Sequence, residues 1–398
     1  MPPLLPRTTS TAPADAPDRY GRALRQLFHL QADAVFLNHG SFGLTPKVVL
    51  AAQTKLRAEM EAQPVRFLGR EGLQPRLRAA AADLGHFLGA AGEDLAFVDN
   101  ATTGVNAVLR SLDLGPGDEI LITDHTYGAV RNAVRFVCAR SGARPVVARL
   151  PFPTGSASDF VKAVAAALSE RTRLAVLDLV TSGSAIVMPI VPLVRACRDA
   201  GAQILVDAAH APGMLDLDLS ALNADWVSGN LHKWLFAPKG CAFLWARKAT
   251  QDGLHPTVIS HGFEQGFNDE FDWTGTRDPT AWLAAPAALS FYRSMGDGVL
   301  RARNHGLAAT ASAELARRWS TETGAAADMI GAMAVIRLPG RAEATIEAAR
   351  ALNHELWERH RIEVPVSAIG GSLWVRISAQ IYNESMDYEQ LSVAVAKL

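Results

Sequence analysis

The sequence predicts an α/β protein in which a mostly parallel β-sheet has helices on both faces and is followed by a small α+β C-terminal domain. Short apolar runs alternate with helical stretches through the first two thirds of the chain, which is the rhythm of βαβ units. After Pro279 an alanine-rich helical region leads into a second mixed segment. The length of 398 residues suits one large domain and one smaller domain.

The predicted large domain begins with helices and continues with strands. Residues 51–88 carry apolar residues at every third or fourth position, as amphipathic helices do, with breaks near Pro64 and Pro75. The strand candidates are DLAFVD, EILITD, PVVARL, LAVLDLV, AQILVDAA and GCAFLWA. The stretches between them that favour helix include 103–111, 127–141 and 192–200.

The C-terminal segment has its own pattern, in which MAVIRLP and LWVRIS are strand candidates that flank a helix predicted for 343–360. We therefore divide the chain into a flexible arm (1–18), a large domain (19–285) and a small α+β domain (286–398). The N-terminal segment of the large domain is expected to contribute to the small lobe. The arm lacks the basic start and apolar stretch of a secretory signal. The active site is expected between the two lobes.

Composition excludes several classes of protein. Hydrophobic residues make up 49% and charged residues 20%, as in soluble globular enzymes, and the net charge of −1 predicts no nucleic-acid or membrane partner. No apolar run approaches the roughly 18 residues that span a bilayer. Cys138, Cys197 and Cys241 have no metal or disulfide spacing, so we expect no metal and a cytoplasmic location. No GxGxxG follows a predicted strand, which argues against a nicotinamide enzyme.

The segment AQILVDAAHAPG places Asp207 at the carboxyl end of a predicted buried strand, where ligands of open α/β sheets gather. A lone Asp in this setting is most often a cap or a turn residue. A partly buried carboxylate can also keep a pyridine nitrogen protonated, which pyridoxal 5′-phosphate (PLP) needs to act as an electron sink. His210 follows three residues later and can reach the same ring, although a lone His is more often a packed polar residue.

Lys233 stands in DWVSGNLHKWLFAPKG, after a Gly/Asn turn and before an apolar segment. A single lysine is usually on the surface. A lysine desolvated among Trp234, Leu235 and Phe236 has a lowered pKa and can form an imine. The segment FVDNATTGVN adds a strand, a turn and a helix start, where backbone amides and Thr hydroxyls can bind a phosphate or simply cap the helix.

An Asp at a strand end, about 26 residues before a lysine in SxxxHKW, is a combination that resembles the class V aminotransferase group of PLP-dependent fold type I enzymes. This group includes isopenicillin N epimerase and the cysteine desulfurases. The resemblance extends from FLNHGSFG to VRISAQIYN. It implies PLP as the cofactor and a fold type I sheet of the seven-stranded type. It also implies that Lys233 carries PLP as a Schiff base, that Asp207 pairs with the pyridine nitrogen and that His210 approaches the phenolic oxygen.

The resemblance assigns further roles by position. The cofactor phosphate would be held by Ala101, Thr102, Thr103, Asn230 and His232, with Asn230 standing where desulfurases carry Ser. Tyr127, or alternatively His125, would stack on the cofactor ring, and Ser182 would approach the phenolic oxygen where desulfurases have Asn. Thr276 in FDWTGTRDP would reach the phosphate of a neighbouring subunit, which implies a homodimer with shared sites. The substrate would be bound by Asn38, His39 and Arg376, the last through the α-carboxylate of an amino acid.

The same resemblance to class V enzymes suggests which reaction the chain catalyses. Desulfurases need a mobile Cys in the C-terminal third, whereas the last cysteine here is Cys241 beside PKG. Epimerase-like chemistry at Cα is the first hypothesis, with Lys233 as one acid/base and Tyr127 or His39 as candidates for the opposite face. The alternative is β-elimination by a C–S lyase, such as hercynylcysteine sulfoxide lyase. A hypothesis of another class is a PLP-binding protein without turnover.

Overall fold

The structure is a computed structural model that describes residues 19–153, 155–340 and 343–397. Its strands are β1 (Val35–Phe36), β2 (Leu95–Val98), β3 (Glu119–Thr123), β4 (Arg144–Ala148), β5 (Thr172–Asp178), β6 (Gln203–Asp207), β7 (Trp226–Asn230), β8 (Ala242–Ala246), β9 (Met333–Arg337), β10 (Ile362–Glu363), β11 (Val366–Ile369) and β12 (Ser372–Ser378). The predicted N-terminal arm lies outside the described residues.

The α-helices of the described chain are α1 (His39–Phe42), α2 (Lys47–Ala62), α3 (Pro64–Leu68), α4 (Arg70–Leu88), α5 (Ala101–Ser111), α6 (Gly128–Ser141), α7 (Ala157–Ala167), α8 (Ile190–Asp199), α9 (Phe267–Asp272), α10 (Thr280–Leu283), α11 (Ala285–Ser294), α12 (Gly298–Trp319), α13 (Ile346–His360) and α14 (Ser385–Val395). Short 3₁₀ turns occupy Arg22–Leu27, Gly92–Asp94, Lys248–Thr250 and Ala327–Met329. Pro64 begins α3, as the predicted break requires. Pro75 does not break α4, in which Leu73 and Leu77 bury on both sides of it.

The central sheet has seven strands in the order β2-β8-β7-β6-β5-β3-β4. The pairs β7-β6, β6-β5, β5-β3 and β3-β4 are parallel, and β8 is antiparallel to both of its neighbours. Helices α5 and α6 pack on one face, and α4, α7, α8 and α11 pack on the other. The predicted α/β fold with a mostly parallel sheet is confirmed.

All six strand candidates of this sheet are strands, but β7 was not among them. Its sequence, WVSGN, lacks the run of large apolar residues that marks a buried strand. Small residues are needed there because α5 crosses closely: a Cβ on Gly104 would lie 2.2 Å from Ser228 Oγ. The single hydrogen of the Ser228 hydroxyl is shared between the carbonyl oxygens of Phe243, at 3.0 Å, and Ala101, at 3.2 Å. The tight packing brings the start of α5 to the end of β7.

A second, antiparallel sheet has the order β11-β12-β9 and shares a core with α12, α13 and α14. Near it, β1 pairs in parallel with β10, so the segment before α1 joins the C-terminal part of the chain. Helix α11, which begins at the predicted boundary, contributes Leu289 and Tyr292 to the core of the large sheet. The exact domain limits stay a prediction.

Two further expectations concern features that the sequence lacks. Within the described ranges, no helix is both long and apolar enough to cross a membrane. The same residues contain no cluster of three or more His, Cys, Asp or Glu side chains suited to a metal ion.

Candidate active site

A cavity of about 520 Å³ opens where β5, β6 and β7 end and α5 begins. Carboxyl ends of parallel strands are where α/β proteins bind ligands. The cavity contains nine of the residues singled out from the sequence. They are Ala101, Thr102, Tyr127, Ser182, Asp207, His210, Asn230, His232 and Lys233.

Lys233 lies in the turn that follows β7, and its Nζ is 3.2 Å from Nε2 of His210. Burial lowers the pKa of Lys233 to about 7, and repulsion by Arg376 adds to this effect while Asp207 opposes it. Trp234 Nε1 donates to His210 Nδ1 at 3.4 Å, so a neutral His210 carries its hydrogen on Nε2. That hydrogen points at Nζ, which can accept it only as an uncharged amine.

Helix α1 packs against the turn that carries Lys233 and supports it. His39 is fully buried, and its Nε2 lies 2.9 Å from the carbonyl oxygen of Lys233 while its Nδ1 lies 2.8 Å from the hydroxyl of Tyr382. Gly43 has a φ of 69°, and a Cβ there would lie 2.1 Å from the His232 carbonyl oxygen. The motif NHGSFG therefore packs its backbone directly on the lysine turn.

This placement corrects the expectation that His39 contacts the substrate or acts as the second acid/base. Its ring faces the protein interior rather than the cavity, and both ring nitrogens have partners. Burial lowers the pKa of His39 to about 3, so the ring is neutral at any working pH. The geometry makes His39 a support for the Lys233 backbone.

Two buried carboxylates lie at the floor of the cavity. Asp207 ends β6, and its Oδ1 accepts a hydrogen bond from the Ala209 amide at 2.9 Å. Burial raises the pKa of Asp207. The hydrogen bond from the Ala209 amide and the charge of Lys233 lower this pKa by a smaller amount. Asp178 ends the neighbouring strand β5 in register with Asp207, and sequence reasoning missed it. The signal was present, since LAVLDLV also places an Asp at the end of a buried parallel strand.

The start of α5 supplies another part of the cavity wall. Asn100 caps the helix by accepting the amide hydrogen of Thr103 at 2.9 Å. The Thr103 hydroxyl also donates to Asn100 Oδ1, at 3.2 Å, so the Thr103 side chain bonds to its own cap. Asn230 Oδ1 accepts the amide hydrogen of Ala101 at 2.8 Å. Thr102 and His232 line the cavity beside them, and the His232 Nδ1 lies 3.1 Å from the Cys241 carbonyl oxygen.

The two candidates for a stacking ring are separated by the structure. Tyr127 lines the cavity and is 46% exposed, so its ring is accessible to a ligand. His125 is not among the lining residues. Its Nδ1 lies 2.7 Å from Ser184 Oγ, and its ring packs 5.2 Å from the ring of Phe152.

Arg376 on β12 is bonded to residues that line the cavity. Its Nη1 donates to the Ser182 carbonyl oxygen at 2.6 Å, and its Nη2 donates to Ser41 Oγ at 2.9 Å and Asn38 Oδ1 at 3.2 Å. Ser41 and Ser182 line the cavity. The Nε of Arg376 is buried without a hydrogen-bond partner in the described part of the chain. A carboxylate bound here would meet a guanidinium already oriented by three neighbours.

Other charged residues at the cavity were not found from the sequence. Lys239 lines it, with Nζ 3.3 Å from Thr45 Oγ1, and burial lowers the pKa of Lys239 to about 8. Asp99 also lines it and is paired with Arg277, whose guanidinium lies 3.8 Å over the ring of Trp282.

Thr276 is not in the cavity of its own chain. It lines a separate groove of about 490 Å³ together with Trp273, Arg70 and Val65. The assignment of Thr276 to the site of a neighbouring subunit stays a prediction.

A lysine turn and a buried carboxylate at the strand ends of such a sheet define a PLP-dependent enzyme of fold type I. The chain belongs to the aminotransferase class-V family, whose model matches residues 35–357. It is 36% identical to isopenicillin N epimerase of Amycolatopsis lactamdurans, with 94% of this chain and 97% of that protein covered. It is 34% identical to a probable chloroplastic L-cysteine desulfhydrase of Arabidopsis thaliana, with 92% and 83% covered.

Among solved structures, the complex of the cystine C–S lyase C-DES with cysteine persulfide matches with a TM-score of 0.78 at 22% identity, covering 92% of this chain and 98% of that chain. This likeness concerns the fold. The cofactor of the chain is PLP, and the cavity fits it on two observations. Lys233 presents an amine with a pKa of about 7. Asp207 presents a buried carboxylate at the cavity floor, which can hold a proton on a ring nitrogen.

Proposed function

We propose that the chain is a PLP-dependent enzyme acting at Cα of an amino acid, with epimerisation as the first hypothesis and C–S elimination as the second. The observation that carries the proposal is Lys233, an amine with a depressed pKa between a buried carboxylate and a buried guanidinium. We place the enzyme in a reducing compartment such as the cytoplasm, in keeping with its three free cysteines.

PLP, when bound, withdraws the electron pair that is left at Cα once its proton has been removed. The residues of this chain do the rest. Asp207 would hold a proton on the cofactor's ring nitrogen, because a buried carboxylate stabilises the adjacent cation. Lys233 would take the Cα proton as an uncharged amine and return it. Arg376 would orient the substrate through its α-carboxylate, next to Ser41 and Ser182.

Epimerisation needs a second acid/base on the opposite face of Cα. With His39 turned away from the cavity, Tyr127 is the remaining candidate, since its ring lines the cavity and is half exposed. The similarity to isopenicillin N epimerase of Amycolatopsis lactamdurans, which spans nearly the whole of both chains, favours this chemistry. Elimination needs one base only, and the desulfhydrase relatives favour it.

Amino acids incubated with the holoenzyme in deuterated buffer distinguish these reactions. For an epimerase we expect deuterium at Cα and both enantiomers, without release of pyruvate, ammonia or a sulfur product. Release of those products would establish the lyase instead. Tyr127→Phe separates the two further, because it should reduce epimerisation and leave elimination by Lys233 nearly intact. If no substrate shows exchange or elimination, the non-catalytic hypothesis replaces both.

We also propose a homodimer with shared sites. The groove beside Thr276 contains Val65, whose side chain is 80% exposed, and exposed apolar surface of this kind marks interfaces. Sedimentation of the wild type and of Val65→Glu tests the dimer. Mixing inactive Lys233→Ala and Thr276→Val chains tests sharing, because one complete site per hybrid dimer should restore part of the activity. The proposal is contradicted if the wild type and Val65→Glu both sediment as monomers, or if the mixed chains regain no activity.

A further inference from the structure

The two carboxylates at the cavity floor are neighbours across the sheet. Asp178 and Asp207 are register partners at the ends of the parallel strands β5 and β6. Residues paired in this way point to the same face of a sheet. Both are 4% exposed, and both line the cavity. Two carboxylates held side by side away from water cannot both be ionised, so the pair must share its charge unequally.

The surroundings of the two side chains differ. Asp207 accepts the Ala209 amide hydrogen and is attracted by the cationic form of Lys233, and both interactions stabilise a negative charge. The neighbouring Thr126 hydroxyl and Tyr127 amide lower the pKa of Asp178, but by less than burial and Asp207 raise it. The Oδ2 of Asp178 is buried with no partner among the described residues. An unpaired anionic oxygen is far more costly to bury than a neutral carboxyl group.

Ionisable groups on the flanking elements do not reverse this balance. On one side of β5, Asp207 ends β6; on the other, Asp124, His125 and Tyr127 follow β3. Asp124 Oδ1 accepts the Leu150 amide hydrogen, and His125 lies against Ser184. The cations nearest the cavity floor act elsewhere: Lys233 attracts Asp207, and Arg376 is held by Asn38, Ser41 and Ser182. Burial and repulsion by Asp207 raise the pKa of Asp178 well above its usual value.

We propose that Asp178 is a positioning residue that stays protonated beside Asp207, so that Asp207 is the single anion at the floor of the cavity. The inference deepens the proposed function, on which it rests, because it explains how Asp207 stays charged. If Asp178 were ionised, two negative charges would lie side by side, and the pair would take up a proton that both carboxylates share. Asp207 would then no longer carry a full negative charge. A neutral Asp178 leaves Asp207 free to hold the proton of the ring nitrogen.

The test compares Asp178→Asn, which mimics the neutral acid, with Asp207→Asn. Its first readout is thermal unfolding of the apoenzyme from pH 5 to 9. Between its unfolded and folded pKa values, Asp178 holds a proton in the folded chain that the unfolded chain has released, so wild-type stability falls as pH rises. Asp178→Asn lacks this dependence. We expect its Tm to exceed that of the wild type by about 2 °C or more at pH 8 and the difference to shrink toward pH 5.

The second readout is PLP binding to the apoenzyme. Asp178→Asn should bind PLP within about threefold of the wild type, and Asp207→Asn should change the absorption of the bound cofactor, because one variant keeps the anion and the other removes it. A Tm that is lower by the same amount at every pH would overturn the proposal and show a purely structural side chain. So would a tenfold loss of PLP affinity in Asp178→Asn.

A third measurement does not depend on a variant that folds. Infrared spectra of wild-type apoenzyme labelled with ¹³C-aspartate should contain the carbonyl band of a buried protonated carboxyl group at neutral pH, and absence of the band refutes the proposal. None of these apoenzyme results requires turnover. If the apoenzyme gives these results but the holoenzyme catalyses neither exchange nor elimination, the inference on Asp178 stands and the proposed function fails. The two failures are therefore distinguishable.

Discussion

The α5 end and the Arg376 end of the cavity are assembled in different ways. At the α5 end, Asn230 is the last residue of β7 and Thr102 lies in the first turn of α5, shortly after β2. Asn230 there accepts the amide hydrogen of Ala101. At the other end, Arg376 meets Asn38 and Ser182, which lie far from it in the chain, through direct hydrogen bonds. We propose that the first end holds the cofactor phosphate and the second a substrate carboxylate. Substitutions at the two ends should therefore change different binding constants.

The largest effect is expected at Lys233, where both ends meet. Lys233→Ala should keep the fold and lower turnover by about a thousandfold or more, because the acid/base at Cα is lost. Activity assays and the absorption spectrum of bound PLP measure this. Lys239→Ala is the matched control, since Lys239 lines the same cavity with its Nζ near Thr45. Borohydride reduction followed by peptide mapping should label Lys233, and label on Lys239 would contradict the assignment.

At the Arg376 end, Arg376→Ala should weaken amino-acid binding by about 2 to 4 kcal/mol through loss of a charge-assisted pair. The affinity for PLP should stay unchanged, and this contrast is what the comparison of the two ends requires. Substrate titrations and PLP titrations of the apoenzyme give the two constants. Arg376→Lys keeps the charge without the bidentate geometry and should fall between. Equal losses for substrate and cofactor would mean that the ends are not independent.

At the α5 end, the opposite pattern is expected. Asn230→Ala removes the acceptor of the Ala101 amide hydrogen and loosens the helix start, so the Kd for PLP should rise about tenfold, equivalent to about 1.4 kcal/mol. The KM for the amino acid, measured at saturating PLP, should hardly change. Thr103→Val is the control, because the Thr103 hydroxyl bonds to its own helix cap. A rise in Kd for Thr103→Val and none for Asn230→Ala would refute the described helix start.

The difference between the ends also explains what could be predicted from the sequence. Asp207, Lys233 and the α5 start are local features, in which strand, turn and chemistry occupy one short segment. The Asp178 pairing leaves no signal within a single strand, because only the sheet register brings the two carboxylates together. Strand β7 was missed because close contact with α5 demands Ser and Gly where buried strands usually carry large residues.

The orientation of His39 could not be read from the sequence either. NHGSFG was correctly singled out, but whether its imidazole faces the cavity or the interior depends on Tyr382, which lies at the far end of the chain. Residues that contact one another across such separations leave no local pattern. The fold class could thus be predicted from the sequence, whereas the contact between His39 and the lysine turn is visible only in the structure.

The smallest effect is expected at His39, and it separates a support from an acid/base. Because the neutral ring has one donor and one acceptor, Nε2–H donates to the Lys233 carbonyl oxygen and Nδ1 accepts from the Tyr382 hydroxyl. His39→Gln can still donate to that carbonyl and should lower kcat only a few-fold, whereas His39→Ala, which leaves the carbonyl unpaired, should lower it further.

The pH profile of kcat should keep both limbs in each variant, since a ring with a pKa near 3 takes no part in proton transfer at neutral pH. If His39 were instead the acid/base opposite Lys233, both variants would lose epimerisation about a hundredfold or more and one limb of the profile would vanish. Partial rescue by Gln with an unchanged profile therefore identifies His39 as a residue that acts through the backbone of Lys233.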